Sequence, residues 1–177
     1  MTLATMRSTT FAATIPAGSR RAAALADRLE QGARALADFA RGLDAGQWRL
    51  RTPKDGRKVG VIVHHVASMY PIEMGLVDKL AAGEPVVGVS WDDVDAINAE
   101  HAAKNDGAGK EEAIGLLLGN SAEAAAAIRK LTDEQLDLAS PISLDGDAPL
   151  TCQYFVEFHP VRHAWHHLAK LRAAVGR

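Results

Sequence analysis

Apolar residues recur along most of this chain at intervals of three and four, the spacing that places them on one face of an α-helix. The first such stretch follows Ser19, an N-cap residue type, and runs to about Gly42 with Ala23, Leu25, Leu29, Ala33, Leu36 and Phe39 facing inward. The segment DAGQWRLRTPKDG is polar and carries Pro53 and the Asp55-Gly56 pair, so it predicts a loop. A second helix is expected from about Arg57 to Ala82, kinked where Pro71 removes a backbone hydrogen bond. Gly83 to Gly88 interrupts the pattern, and Ser90-Trp91-Asp92-Asp93 then reads as a capping box opening a helix to about Asn105. Another helix spans roughly Lys110 to Lys130, and a short helical turn begins at Thr132. SPISLDGDAP predicts a loop with room for a short strand, and Thr151 caps a last helix, bent at Pro160 and ending before Gly176. Four long amphipathic helices predict an all-α fold: an antiparallel four-helix bundle with an extra short helix and loop insertions.

Two of these helices hold five of the seven histidines: His64 and His65 in VGVIVHHVASMY, and His163, His166 and His167 near the end, with His159 close by. Imidazole is the commonest protein metal ligand and is costly to bury without a partner, so the facing of each ring matters. At roughly 100° per residue, Val59, Ile62, Val66, Met69, Tyr70, Leu76, Val77 and Leu80 define an apolar arc of about 180° that contains His65. His64 lies about 100° away and is expected to face solvent. From Val161 onward the arc is Val161, Ala164, Trp165, Leu168, Leu171 and Ala174. His167 falls inside it, His163 at its edge, and His166 with Arg162 and Lys170 toward water.

The i,i+4 pair His163 and His167 stacks two imidazoles one turn apart. On its own such a pair is usually a hydrogen-bonded feature of the core. A third inward histidine on another helix, His65, turns it into a candidate metal site of the kind assembled inside helix bundles. Three nitrogen ligands without a fourth protein ligand describe an open site, the catalytic rather than the structural pattern. Ala164 stands where a zinc-protease HExxH would place its general base, so peptide hydrolysis by that route is not expected. Glu73, Asn98 and His101 are candidates to orient the imidazoles.

At 177 residues, 47% hydrophobic and 24% charged with a net charge of −2, the chain suits a single globular domain over residues 19–177 after a loosely ordered arm of 18 residues. The arm lacks the apolar core of a secretory signal, and no apolar run reaches the length of a membrane span. The absence of a basic excess argues against nucleic acid and acidic membrane surfaces as partners. Cys152 is the only cysteine, which excludes an internal disulfide and fits a cytoplasmic location. It stands at the start of the last helix, about 16 Å along the axis from His163, and is assigned to packing.

Taken together, the N-terminal amphipathic helix, the loop with a Trp before Gly56-Arg57-Lys58-Val59, Ile62-Val63-His64-His65-Val66-Ala67, and His163-x-x-x-His167-Leu168-Ala169-x-Leu171 resemble the DinB/YfiT-like superfamily over about residues 20 to 175. The resemblance implies a four-helix bundle, a homodimer, and a divalent metal ion (nickel, zinc or manganese) on His65, His163 and His167. It also implies a reaction with a low-molecular-weight thiol, as in mycothiol-dependent isomerases and bacillithiol- or glutathione-type S-transferases. His159 and His166 add imidazoles beyond the family's three, and Pro160 bends the helix beside His163. Two other readings remain open at this point: a metal-assisted hydrolase, and a non-catalytic stress-related binding module.

Overall fold

A computed structural model of the chain describes residues 19–53 and 56–176. The N-terminal arm expected over residues 1–18, and Asp55 of the predicted turn, lie outside the described residues. Helix α1 spans Arg20–Arg41, α2 Ala45–Arg49, α3 Val59–Ala81, α4 Trp91–Lys104, α5 Lys110–Ile128 and α6 Asp133–Asp137. Strands β1 (Ala139–Ile142) and β2 (Ala148–Thr151) follow, then α7 (Cys152–Val156), a π-helical turn (Glu157–Val161) and α8 (Arg162–Ala174).

The bundle is built from α1, α3, α5 and α8. Around the ring, α1 packs on α5 and α8, and α3 packs on the same two from the opposite side. Ser19 Oγ accepts from the backbone N–H of Arg21 and Ala22, capping α1 as its residue type predicts. The inward face of α1 starts at Ala22; Ala23, expected inside, is exposed. The core layer joins Leu25, Leu29 and Leu36 of α1 to Val66, Tyr70 and Val77 of α3, Leu117 and Ile128 of α5, and Leu168 and Leu171 of α8.

Helix α3 continues through Pro71. A proline at that position cannot donate to the carbonyl of Ala67, and Asn120 of α5 supplies the missing donor, its Nδ2 lying 2.9 Å from that oxygen. The buried helix thus tolerates its proline because a neighbouring side chain satisfies the orphaned acceptor. At its N-terminal end α3 is approached closely by α2. Gly60 lies beneath Trp48, where an added Cβ would come within 2.4 Å of the indole, so only glycine fits. Gly60 is buried because α2 covers that side of its helix.

Helix α4 stands outside the bundle, with none of its residues buried. The segment that leads into it is tied down by the hairpin of β1 and β2, paired antiparallel from Ala139 opposite Thr151 to Ile142 opposite Ala148. Val86 N donates to Pro141 O at 3.0 Å, and Ser143 N to Val86 O at 2.8 Å. Where one short strand was expected, there are two, turned by Gly146 and Asp147, both in the left-handed region. Among the described residues, no helix is long and apolar enough to cross a membrane.

Candidate metal centre

The last helical run, Cys152 to Ala174, changes winding just before it delivers histidines to the core. Thr151 Oγ1 accepts from Tyr154 N at 3.1 Å to start α7. Pro160, which cannot donate within the ladder, then sits in the π-helical turn. Beyond that turn α8 presents His163 and His167 one turn apart, facing His65 on α3.

One ring nitrogen from each of His65, His163 and His167 lies within 4.8 Å of the others. The Nε2 atoms of His163 and His65 are 3.2 Å apart. Two nitrogens bound to one zinc-like ion at about 2.0–2.1 Å, with a tetrahedral angle between them, stand about 3.3 Å apart, so the donor spacing fits a shared cation. The rings pack edge-to-face on His65: 5.0 Å between the centroids of His65 and His163, and 5.4 Å between those of His65 and His167. His65 and His167 are 5% and 7% exposed. Burial pushes the imidazole of His167 well below its usual range, with His163 and His65 adding to the effect, so it stays neutral and keeps a lone pair to donate.

Behind His163, on the side away from His65, lies Glu73. His163 Nδ1 is 2.9 Å from Glu73 Oε1, close enough for charge pairing although off the line of a straight hydrogen bond. A carboxylate set behind an imidazole in this way is the arrangement that orients a ligating histidine. Glu73 is therefore the orienting residue of the three considered. Asn98 makes no hydrogen bond to the three histidines among the described residues. His101 reaches the site differently, with its ring centroid 5.5 Å from that of His65.

The expectation that His64 faces solvent is corrected. It is half-buried, its Nδ1 lies 2.9 Å from His101 Nε2, and the rings tilt at 33°. The physical reason is α4, which packs across that side of α3 and brings His101 with it. His166, expected toward water, is half-buried, its ring centroid 5.3 Å from that of His167 and the two rings edge-to-face. His159 stacks on Phe155 at 4.3 Å and stays out of the cluster. Trp165, placed on the inward arc, is 42% exposed and lies against Gly32 of α1, donating from Nε1 to Arg28 O at 3.3 Å. Cys152 is fully buried against the Val77 carbonyl, and burial, helped by Asp78, pushes its thiol up to about 11. Arg57, half-buried just before α3, adds its positive charge to the burial that depresses His167 and His101.

The fold resembles that of YfiT from Bacillus subtilis, a structure described as "a probable metal-dependent hydrolase with an unusual four-helix bundle topology". The two superpose with a TM-score of 0.71 at 20% identity, over 89% of this chain and 90% of that one. Among curated proteins, none matches the sequence. Residues 28–171, most of the bundle and all three clustered histidines, match the sequence profile of the DinB superfamily, and the chain belongs to that superfamily.

Proposed function

We propose that the protein is a metal-dependent enzyme in which His65, His163 and His167 hold one divalent cation, nickel, zinc or manganese, in an open site. The observation that supports this reading is the convergence of three imidazole donors from two helices, with Glu73 set behind one of them. A divalent ion bound there would lower the pKa of a thiol or water in contact with it, so that a nucleophile exists at neutral pH. The chain's own residues prepare the place. His65 and His167 exclude bulk water by their burial, His167 is held neutral by it, and Glu73 stands behind His163 against its Nδ1.

The nucleophile in this reading is a low-molecular-weight thiol, and the reaction an S-transfer or an isomerisation through a thiol adduct. A second reading, hydrolysis by water at the same site, is favoured by the description given to YfiT. Turnover that requires an added thiol supports the first, and turnover in its absence the second. The working unit in this proposal is a homodimer, so light scattering should give twice the chain mass at micromolar concentration.

Elemental analysis of tag-free protein tests the site itself. About one divalent ion per chain is expected. His65→Ala and His167→Ala should lose it, while His64→Ala and His166→Ala should keep most of it. Equal losses at all four positions, or no metal in the parent protein, would leave a non-catalytic module as the better account.

A further inference from the structure

Beside the three-histidine cluster two further imidazoles meet. His64 of α3 and His101 of α4 bring Nδ1 and Nε2 to 2.9 Å, with 5.1 Å between the ring centroids. The approach repeats that of His65 and His163, whose Nε2 atoms lie 3.2 Å apart. His101 also packs edge-on against His65, with 5.5 Å between centroids, so the two pairs form one continuous array of rings.

A hydrogen bond between two neutral rings explains this contact incompletely. Such a bond adds little net stability, and a buried ring nitrogen without a partner costs at least as much. His101 carries such an atom, its Nδ1. Nor does packing hold the ring in place, because α4 buries none of its own residues. Its side chains tie it near both ends: Trp91 Nε1 donates to Leu144 O at 3.1 Å, and His101 meets His64. Two nitrogens on one zinc-like ion stand about 3.3 Å apart, so opening the pair by a few tenths of an ångström admits an ion, each ring keeping its proton on its other nitrogen. Both rings are half-buried, within reach of ions from solution. Imidazole nitrogen favours borderline ions such as zinc over magnesium or calcium. Two protein ligands hold an ion less firmly than three and leave its other positions to water or an anion.

We propose that His64 and His101 form a second, weaker site for a borderline divalent ion such as zinc, which clamps α4 onto α3 beside the three-histidine centre. The clamp acts where the fold has least of its own to offer, since a helix without buried residues opens at low local cost. Protein as purified carries one ion in the stronger centre, and the second site fills when zinc is added.

The test is calorimetric titration of the metal-free full chain with zinc. The parent should take two equivalents, the second at least tenfold more weakly. His64→Gln and His101→Gln, which keep a polar side chain, should each lose the second and retain the first. His167→Ala should lose the first and retain the second, and His166→Gln, which removes an imidazole outside the pair, should retain both. Melting temperatures of the metal-free variants check that each is folded. In the parent, the second equivalent should also slow amide hydrogen exchange across α4 at least tenfold, an effect absent from His101→Gln. A single equivalent that His101→Gln leaves in place, a second that survives both glutamine variants, or exchange in α4 that zinc does not alter would overturn the proposal while leaving the three-histidine centre standing. A single equivalent lost in His101→Gln and kept in His167→Ala would support the clamp and overturn the three-histidine reading. Failure to take up zinc at all would overturn both.

Discussion

Glu73 on α3 reaches across to α8 and meets His163, its Oε1 lying 2.9 Å from the imidazole Nδ1. Both groups are largely shielded from water, so the contact acts in a medium of low dielectric constant and holds the ring in one orientation. Removing such a partner from a ligating histidine costs roughly 10–100-fold in metal affinity. Glu73→Gln keeps the shape and loses the charge. The expected outcome is weaker metal binding by about that factor, measured by competition with a chelator, with a melting temperature little changed. An unchanged affinity would mean that Glu73 serves packing alone.

How far this centre was legible in the sequence depends on what a single-helix wheel can carry. That His65, His163 and His167 share one place follows from two apolar arcs, because each ring lies on or beside the stripe its helix must bury. The link between Glu73 and His163 does not follow. Glu73 is about 12 Å along α3 from His65, and its partner belongs to the facing helix, whose axial offset no wheel contains. His64 was misplaced for a related reason: α4 buries none of its own residues, so its pattern gives no hint of where it docks. Helix α2 was legible and missed. Asp44 and Gln47 form a capping box, a recognisable helix start inside a segment whose Pro53 and Asp55-Gly56 pair predict a loop. The bundle itself was plain, since α1, α3, α5 and α8 each carry the helical period over three turns or more.

The substitution of a proline into α3 and its repair by Asn120 make a coupled pair. Asn120→Ala leaves the carbonyl of the buried Ala67 without its donor, which should cost about 1–3 kcal/mol of stability. In a Pro71→Ala background the backbone N–H returns to that carbonyl, and the same substitution should cost much less. Urea unfolding of the four proteins of this cycle measures the coupling. Additive losses would show that Asn120 contributes by something other than capping the proline gap.

Acid should destabilise the metal-free protein in a specific way. Burial depresses His167 far below its usual range, and His159 and His101 are depressed too, mainly by burial. Unfolded, the same imidazoles take up protons near pH 6.5, so below that value the unfolded chain binds more protons than the folded one. Stability therefore rises with pH through this region and is lost as pH falls below about 6.5. Unfolding free energies of the apo protein between pH 8 and pH 5 should show this slope. The slope should be reduced by up to about one proton in His167→Gln, which removes one of the four rings that burial depresses.

Cys152 tests whether the cluster is complete without a sulfur. Its side chain is fully buried at the start of α7, its Sγ 3.9 Å from the Val77 carbonyl, and its thiol is pushed up to about 11. A helix N-terminus ordinarily favours the thiolate; here desolvation wins, with the Asp78 carboxylate adding to it. At pH 8 only about one molecule in a thousand would carry a thiolate, so alkylation by iodoacetamide should be negligible in the folded protein and complete in urea. Cys152→Ser should leave metal content and any thiol-dependent turnover within about tenfold of the parent, or roughly 1.4 kcal/mol. A larger loss of either, or rapid alkylation of the folded chain, would place the sulfur in the working site beside His65, His163 and His167 and would require a fourth protein ligand or nucleophile there.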